Sequence, residues 1–259
     1  MKIFFHGVLI IPPFILIAKK AKPVYSIPAM NTKVISLGGS IVAPSGVNTA
    51  LVRNFFSIIE SYLKKDSRRR LIIVVGGGGP ARMYQQAYRE IVTATDNDMQ
   101  DWIGISATRL NAQLLAGVFQ QYCGTPVVTD PTAEFSFNGR VLVAAGWKPG
   151  FSTDFDAVML AERYEADTVI NLSNIQKVYT DDPKTNPDAR PVDTISWADF
   201  QNIVGDQWIP GKNLPFDPVA TKKAAELHLR VIVASGQEIE TVESILEERQ
   251  FEGTIIGPD

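Results

Sequence analysis

The chain has 259 residues, of which 45% are hydrophobic and 20% are charged, and its formal net charge is −3. This length and apolar content suffice for one substantial core, which excludes an intrinsically disordered chain. With 25 basic and 28 acidic residues there is no overall positive field, so we expect no nucleic-acid binding. The single cysteine, Cys123, and the two histidines cannot form a disulfide framework or the usual zinc site, and they fit the reducing cytoplasm.

Residues 1–29 differ in character from the rest of the chain. Ile3–Ala18 carries no charged residue and is followed by three lysines within four positions, which resembles a signal sequence or a membrane anchor. The stretch is short for a membrane span, Pro12-Pro13 interrupts it, and no convincing cleavage site precedes Met30. We therefore favour a misassigned upstream start or a loose tail over an anchor, and expect no membrane association. Residues 30–259 are expected to form one domain.

From residue 30 onwards, predicted strands and helices alternate. Short continuous apolar runs predict strands that are buried on both faces, at residues 34–37, 71–75, 126–128, 140–145, 168–172 and 230–234. Amphipathic stretches predict helices at residues 47–65, 109–122, 156–165, 219–229 and 239–248. This order favours an α/β fold, a three-layer α/β/α sandwich with a mostly parallel central sheet. Ligands of such sheets bind beyond the carboxyl ends of the strands.

Two glycine-rich turns follow predicted strands. Gly38–Ser40 follows the first strand, and Gly76–Gly79 follows the second and leads through Pro80 to Arg82. Consecutive glycines let the backbone approach an anion closely, Pro80 suits a first helical position, and the helix that follows directs free N–H groups at the anion. Arg82 adds a planar cation suited to phosphate. Tight turns alone could explain one glycine pair, but four glycines followed by an arginine favour a phosphate site.

Two common phosphate-binding motifs do not fit the chain. A Walker A loop requires Lys followed by Ser or Thr, whereas Lys212 is followed by Asn213, and Gly205 lies one residue too far back. Gly76–Ala81 satisfies the relaxed dinucleotide fingerprint, but residues 93–101 provide no strand that ends in the required acidic residue. Neither a P-loop nor a dinucleotide site is therefore expected.

Several motifs in a fixed order carry a resemblance to a known family. They are Leu37–Ser40, Val75–Arg82, Asp101–Gly104 with Ala107–Ala112, Phe151–Asp154, Asn174–Pro183 and Asp217–Lys222. From Met30 to Asp259 the chain resembles the amino acid kinase superfamily, and within it the archaeal-type UMP (uridylate) kinase family. The resemblance implies that the chain transfers the γ-phosphoryl group of ATP to UMP and gives UDP, a step in pyrimidine nucleotide biosynthesis. It also implies a homohexamer built from dimers.

The resemblance further implies roles for individual residues on the acceptor side. Gly77, Gly78 and Arg82 would hold the phosphate of UMP. Asp101 would bind the ribose hydroxyls, and Thr153 would contact the same nucleotide.

On the other side of the implied site, six residues would wrap the ATP phosphates or line the adenosine pocket: Gly38, Gly39, Ser40, Asn174, Tyr179 and Asp182. Asp154 would organise the catalytic cations, and Lys222 would stabilise the transferred phosphoryl group. Mg²⁺ would arrive with ATP and be held largely by the nucleotide, so no metal-ligating residues are assigned.

This chemistry suits the residues that the chain offers. Phosphoryl transfer passes through a loose transition state whose charge is spread over oxygens. The protein therefore mainly positions the two substrates and neutralises this charge. The acceptor, a phosphate oxygen, is already anionic near neutral pH and needs no general base. None of the candidate loops contains a histidine, which agrees with that requirement.

Simpler structural roles remain open for four of these residues. Asp154 could merely cap the helix predicted at 156–165, and Lys222 could belong to a solvated helix face. Asp182 could belong to a plain turn, and Asp101 could solvate an acidic loop.

The chain departs from the family pattern at three places. Ser36 stands where many members carry a lysine, and Lys33, three positions earlier on the strand, points to the opposite face. Gln176-Lys177 replaces an Asp-Gly turn, and Lys177 could contact phosphate or face solvent. Trp147-Lys148 stands where small residues are frequent.

These departures leave three functions open. The leading one is a UMP kinase. The second is a kinase of the same fold with another small phosphate, carboxylate or carbamate acceptor, and the third is a nucleotide or oxyanion binder without catalysis.

Overall fold

Nine strands are present in the computed structural model, which describes residues 30–183, 185–205 and 214–257. In chain order they are β1 (Asn31–Leu37), β2 (Arg69–Val75), β3 (Val141–Ala144), β4 (Thr168–Ser173), β5 (Val178–Tyr179), β6 (Pro191–Val192), β7 (Thr194–Ile195), β8 (Arg230–Ser235) and β9 (Thr254–Ile256). Seven of them form one sheet in the order β3-β2-β1-β4-β8-β9-β7, and β5 and β6 form a separate antiparallel pair. Within the sheet only β8 and β9 pair antiparallel.

Eight helices connect these strands within the described residues. They are α1 (Gly39–Val42), α2 (Thr49–Lys65), α3 (Gly78–Ile91), α4 (Asn97–Val118), α5 (Thr153–Arg163), α6 (Trp197–Val204), α7 (Pro218–Glu226) and α8 (Ile239–Leu246). Successive strand residues point to opposite faces of the sheet, and each face is covered by its own core. Ile35 and Leu37 pack with α1, α2, α4 and α8, whereas Val34 packs with α5, α6 and α7. The predicted three-layer α/β/α sandwich is therefore confirmed.

Two predicted elements are wrong in extent or type. Residues 126–128 form no strand, since only Val128 makes an isolated parallel bridge, to Ala144; Pro126, without an N–H group, cannot donate to a strand ladder. The helix predicted at 109–122 is the second half of α4, which begins at residue 97 after its N-cap, Asp96. The first turns of α4 are polar, so the apolar pattern does not predict where the helix begins. Because α4 includes residue 101, Asp101 lies on a helix and not in an acidic loop.

Helix starts also differ from the sequence prediction. α3 begins at Gly78, so Pro80 occupies the third helical position and not the first. α2 begins at Thr49, where Asn48 caps the helix by accepting a hydrogen bond from the Leu51 N–H at 3.2 Å. The predicted leader, residues 1–29, and Lys212 lie outside the described residues. Among the described residues, no helix combines the length and apolar character that a membrane crossing requires.

Candidate active site

Two glycine turns meet at the carboxyl ends of the neighbouring strands β1 and β2. The sequence predicts that each turn follows a strand, but not that the two turns are in contact. The Gly76 N–H donates to the Leu37 carbonyl at 2.9 Å, and the Gly38 N–H donates to the Leu172 carbonyl at 2.8 Å. A Cβ on Gly39 would lie 2.0 Å from the Gly78 nitrogen, which no side chain could tolerate. The turns thus pack backbone against backbone, so the glycines are required by this contact as well as by any bound anion.

The packed turns bring two helix N-termini together. α1 starts after Gly38 and α3 after Gly77, and neither N-cap provides a side-chain oxygen for the free N–H groups. The Gly79 N–H of α3 donates to the Ala43 carbonyl at 2.8 Å, and the N–H groups that remain, with the positive end of the α3 dipole, suit an anion. The buried Asn111 of α4 fixes this geometry, because its side-chain amide donates to the carbonyls of Gly76 at 2.9 Å and Gly77 at 3.1 Å.

Asp154 occupies the centre of a polar network between β1, β4, α5 and α7. Its Oδ1 accepts from the Ser36 hydroxyl at 2.7 Å and the Asn171 amide at 3.1 Å, and its Oδ2 accepts from the Asp217 N–H at 3.3 Å. Burial raises the pKa of Asp154 to about 7; the charge of Asp217 adds to this effect, and the Ser36 hydrogen bond opposes it. The carboxyl group is held by neutral donors, and none of these hydrogen bonds comes from a cationic side chain of the described residues.

The alternative role of Asp154 as a helix cap is wrong. Ser152 is the N-cap of α5, and its hydroxyl accepts a hydrogen bond from the Phe155 N–H at 3.2 Å. Asp154 stands two residues further on, with its carboxylate directed to Ser36 and Asn171. Its carboxylate therefore does not cap α5.

Ser36, which stands where many family members carry a lysine, forms a hydrogen bond with Asp154. Ser36 donates to Asp154 on the α5 side of the sheet, whereas Lys33 pairs with Glu248 at 2.7 Å on the α8 side. This confirms that Lys33 cannot take the place of a lysine at position 36. Ser36 and Asn171 were not among the predicted site residues, because their shared partner comes from a distant part of the chain.

The acceptor-side residues lie on α3, α4 and the start of α5. The Asp101 carboxylate accepts from the Gly150 N–H at 2.9 Å, and burial raises its pKa. Thr153 is the first residue of α5. Arg82 is the fifth residue of α3 and is exposed, and its guanidinium donates to the Pro44 carbonyl at 3.4 Å. Asp101 is thus held by the loop after β3. The other N–H groups of the Arg82 guanidinium can donate to an anion.

The loop after β3, which departs from the family pattern at Trp147-Lys148, is anchored on two sides. On α4, Thr108 accepts from the Gly146 N–H at 2.9 Å and Arg109 donates to the Trp147 carbonyl at 3.1 Å. On α5, the buried Asp156 accepts from the Trp147 N–H at 3.2 Å, and its other oxygen has no partner in the described structure. Burial raises the pKa of Asp156 to about 8. The Lys148 ammonium lies 3.8 Å from the Trp147 ring centre.

The predicted adenosine-side residues lie beyond β4. Asn174 is exposed just after β4, and Tyr179 is half-buried on β5. The backbone carbonyl of Asp182 accepts from Thr185 and Asn186, which makes a turn. Lys177 forms ion pairs with Asp193 at 2.7 Å and Glu252 at 3.9 Å, so its charge is compensated by acidic side chains.

Lys222 lies on the exposed side of α7. The helix starts at Pro218, and Asp217 is its N-cap. Asp217 accepts from the Ala220 N–H at 2.7 Å and donates its own N–H to Asp154 at 3.3 Å. The neighbouring Lys223 pairs with Glu162 at 3.0 Å, whereas Lys222 forms no ion pair with any described residue. The cap therefore ties the helix that carries Lys222 directly to the Asp154 network.

Comparison with known proteins decides the family. The amino acid kinase family model matches residues 31–235. The chain is 36% identical over 230 residues to a uridylate kinase of Methanospirillum hungatei and 33% identical over 232 residues to one of Methanocorpusculum labreanum, which covers 88% of this chain and 95% and 96% of theirs. The chain belongs to the amino acid kinase family. The crystal structure of uridylate kinase from Archaeoglobus fulgidus has a TM-score of 0.72 and 33% identity, covering 87% of this chain and 99% of that one.

Membership of the amino acid kinase family agrees with the resemblance seen in the sequence. The site geometry adds three residues to the predicted set: Ser36, Asn111 and Asn171. Asn111 lies within the Ala107–Ala112 motif, so the sequence contains a signal for it. Nothing local marks Ser36 or Asn171 as partners of Asp154.

Proposed function

We propose that the protein is a UMP kinase, which transfers the γ-phosphoryl group of ATP to UMP and releases UDP and ADP. The observation that carries the proposal is the contact between the two glycine turns, which follow the neighbouring strands β1 and β2. The archaeal relatives matched over almost their whole length are named uridylate kinases. Two glycine turns in contact, each holding one phosphate group, would suit a reaction between two phosphorylated substrates.

The two turns would each receive one nucleotide. Gly38, Gly39 and Ser40 would hold the ATP phosphates, with adenosine towards Asn174, Tyr179 and Asp182. Gly77, Gly78 and Arg82 would hold the UMP phosphate, with Asp101 and Thr153 beside the nucleoside.

In the transition state, charge develops on the oxygens of the transferred group, and fixed donors and cations lower its energy. Backbone N–H groups of both turns, Arg82 and Lys222 would supply these charges. Asp154 would hold Ser36, Asn171 and the start of α7 in place through its hydrogen bonds. Through α7 it would position Lys222. The anionic UMP oxygen needs no base, so no described side chain is assigned to proton removal.

Mg²⁺ is expected to enter with ATP. The described residues contain no group of three or more His, Cys, Asp or Glu that could hold a metal ion. Mg²⁺ in kinase sites is commonly held by substrate phosphates and few carboxylates, so this residue set fits a nucleotide-borne ion. The ion would neutralise the ATP phosphates.

We also propose, from the family resemblance, a homohexamer built from dimers. The single cysteine is compatible with a cytoplasmic location.

A coupled assay of ADP release tests the function. With ATP and Mg²⁺, UMP should support turnover well above CMP and AMP, since Arg82 and Asp101 suit a phosphorylated, ribose-bearing acceptor. Preferential turnover of another acceptor would point to a different kinase of this fold. Tight ATP binding without turnover of any acceptor would favour a nucleotide-binding protein.

A further inference from the structure

A small cavity lies between α8 and the sheet, near the amino ends of three neighbouring strands and therefore at the opposite end of these strands from the glycine turns. Its volume is about 120 Å³, and its lining includes Lys33 of β1, Thr168 of β4 and Arg230 of β8. Thr168 and Arg230 are paired residues of the adjacent strands. A cavity of this size holds several water molecules or a ligand with few non-hydrogen atoms.

Lys33 brings a buried ammonium group to this cavity. Its side chain is only 9% exposed, whereas the side chain of its ion-pair partner, Glu248, is 69% exposed. The bond between them, at 2.7 Å, uses one of the three N–H groups of the ammonium. Lys33 has no other hydrogen-bond partner among the described residues. Because buried donors are rarely left unpaired, its other N–H groups need an acceptor, either water or an anion.

Arg230 adds a positive charge without a carboxylate beside it. Its guanidinium donates to the Thr168 hydroxyl oxygen from Nε at 3.1 Å and from Nη2 at 2.9 Å, and it forms no ion pair within the described part of the chain. The third cation of the lining, Arg249, pairs with Glu243 at 3.4 Å. The only acid among the described lining residues already pairs with Lys33. One positive charge of the lining is therefore left without a partner.

A further acid lies close to this row of residues but outside the cavity. The Asp167 carboxylate accepts from the Thr168 hydroxyl at 2.8 Å; Asp167 is exposed and is not part of the lining. Solvent screens the charge of an exposed carboxylate, so Asp167 compensates Arg230 only weakly. The charge of the cavity thus favours a bound monoanion over water alone.

The rest of the lining is mostly apolar, which selects the kind of anion. Side chains of a strand alternate between the faces of the sheet, so Ile170 and Ile232, two positions after the polar pair of β4 and β8, lie on the same face and pack in the core on the α8 side. Ile245 of α8 and Phe251 complete the apolar walls. An inorganic phosphate has no apolar part to place against these side chains, whereas a short aliphatic carboxylate matches both the cations and the hydrocarbon walls.

We propose that this cavity binds a short aliphatic monocarboxylate. Its carboxylate accepts from the free N–H groups of Lys33 and from Nη1 of Arg230, and its alkyl chain contacts Ile170 and Ile232. The cavity lies away from the proposed nucleotide site, so the proposal does not rest on the reaction.

Isothermal titration calorimetry of the full chain with sodium butyrate, at constant ionic strength, tests the site. The unmodified chain should bind butyrate with a millimolar Kd, and Arg230→Gln should weaken binding about tenfold, the effect of losing a hydrogen bond to a charged group. The matched control is Arg53→Gln, which removes the same charge at an exposed position of α2 and should bind butyrate like the unmodified chain. Circular dichroism checks that each variant is folded, and Lys33→Met replaces Arg230→Gln should the latter not fold.

Three results would overturn the proposal. The first is the absence of measurable butyrate binding to the unmodified chain. The second is equal butyrate affinity in the unmodified chain and the folded charge variant, which would place the bound anion elsewhere, such as at the glycine turns. The third is displacement of butyrate by inorganic phosphate at equal concentration, which would show that the apolar walls play no part in recognition.

Discussion

Asp154 joins four elements through hydrogen bonds from neutral donors of the described residues. Its carboxylate is surrounded by a hydroxyl, an amide and a backbone N–H. Neutral donors compensate only part of the desolvation of an anion, so its pKa stays raised, at about 7. A cation bound beside this carboxylate would lower its pKa, because an opposite charge favours the ionised form.

Replacing Lys222 by alanine should lower the turnover number about 100-fold while the KM for UMP changes little. The reason is that an ammonium group placed at the transferred phosphoryl group acts mainly in the transition state, where one such interaction contributes ~3 kcal/mol. The control is Lys223→Ala, since Lys223 is the adjacent residue and pairs with Glu162. Steady-state kinetics with varied UMP measure both constants. Equal activity of the two variants would remove Lys222 from the catalytic residues.

Replacing Asp156 by asparagine should stabilise the protein increasingly as the pH rises. Burial raises the pKa of Asp156 from 3.8 to about 8. Between these values the unfolded chain loses the proton and the folded chain keeps it, so the acid costs stability as pH rises. An asparagine side chain cannot ionise, and the gain should grow by up to about 1.4 kcal/mol per pH unit from about pH 4 to 8.

Urea unfolding at several pH values measures the effect of Asp156→Asn. The control is Asp98→Asn, at an exposed position of α4, which should show no such trend. A difference between Asp156→Asn and the unmodified chain that is the same at every pH would contradict the buried-acid explanation.

At the scale of single residues, the sequence predicts those whose function has a local signature. Glycine runs, an arginine one turn later and an acid at a helix start are all visible along the chain. Ser36 and Asn171 are different, because each gains its role only from Asp154, 118 and 17 positions away. Such contacts depend on strand order, which local patterns do not contain.

At the scale of elements, the contact between the two glycine turns should tolerate no side chain. In Gly39→Ala, the added methyl group would meet the Gly78 nitrogen at 2.0 Å and the Gly76 and Gly77 carbonyl carbons at 2.6 Å. The turns would have to separate, which we expect to cost about 3 kcal/mol of stability and to abolish turnover. Gly46→Ala is the control, because nothing lies within 4 Å of its added methyl group.

Thermal unfolding and the ADP-release assay measure the Gly39→Ala effect. A stable, inactive variant would locate the damage in ATP binding alone. A stable and active variant would show that the turns do not need their close contact.

Element prediction succeeds where apolar periodicity is strong and fails where it is weak. The buried runs of β1, β2, β4 and β8 predict their strands, and the stripe of α2 predicts its helix. The first turns of α4 carry polar and acidic residues, and α4 buries Gln100, Thr108 and Asn111 against the site. A helix that presents polar side chains inwards lacks the usual amphipathic pattern, so the sequence does not predict its first half.

At the scale of the whole molecule, α4 connects the loop after β3 to the Gly76 turn after β2. On its inner face, Asp101, Thr108 and Arg109 anchor the loop after β3, and Asn111 anchors the Gly76 turn. On its outer face lie Trp102 and Leu110. One helix therefore holds two acceptor-side segments that follow different strands.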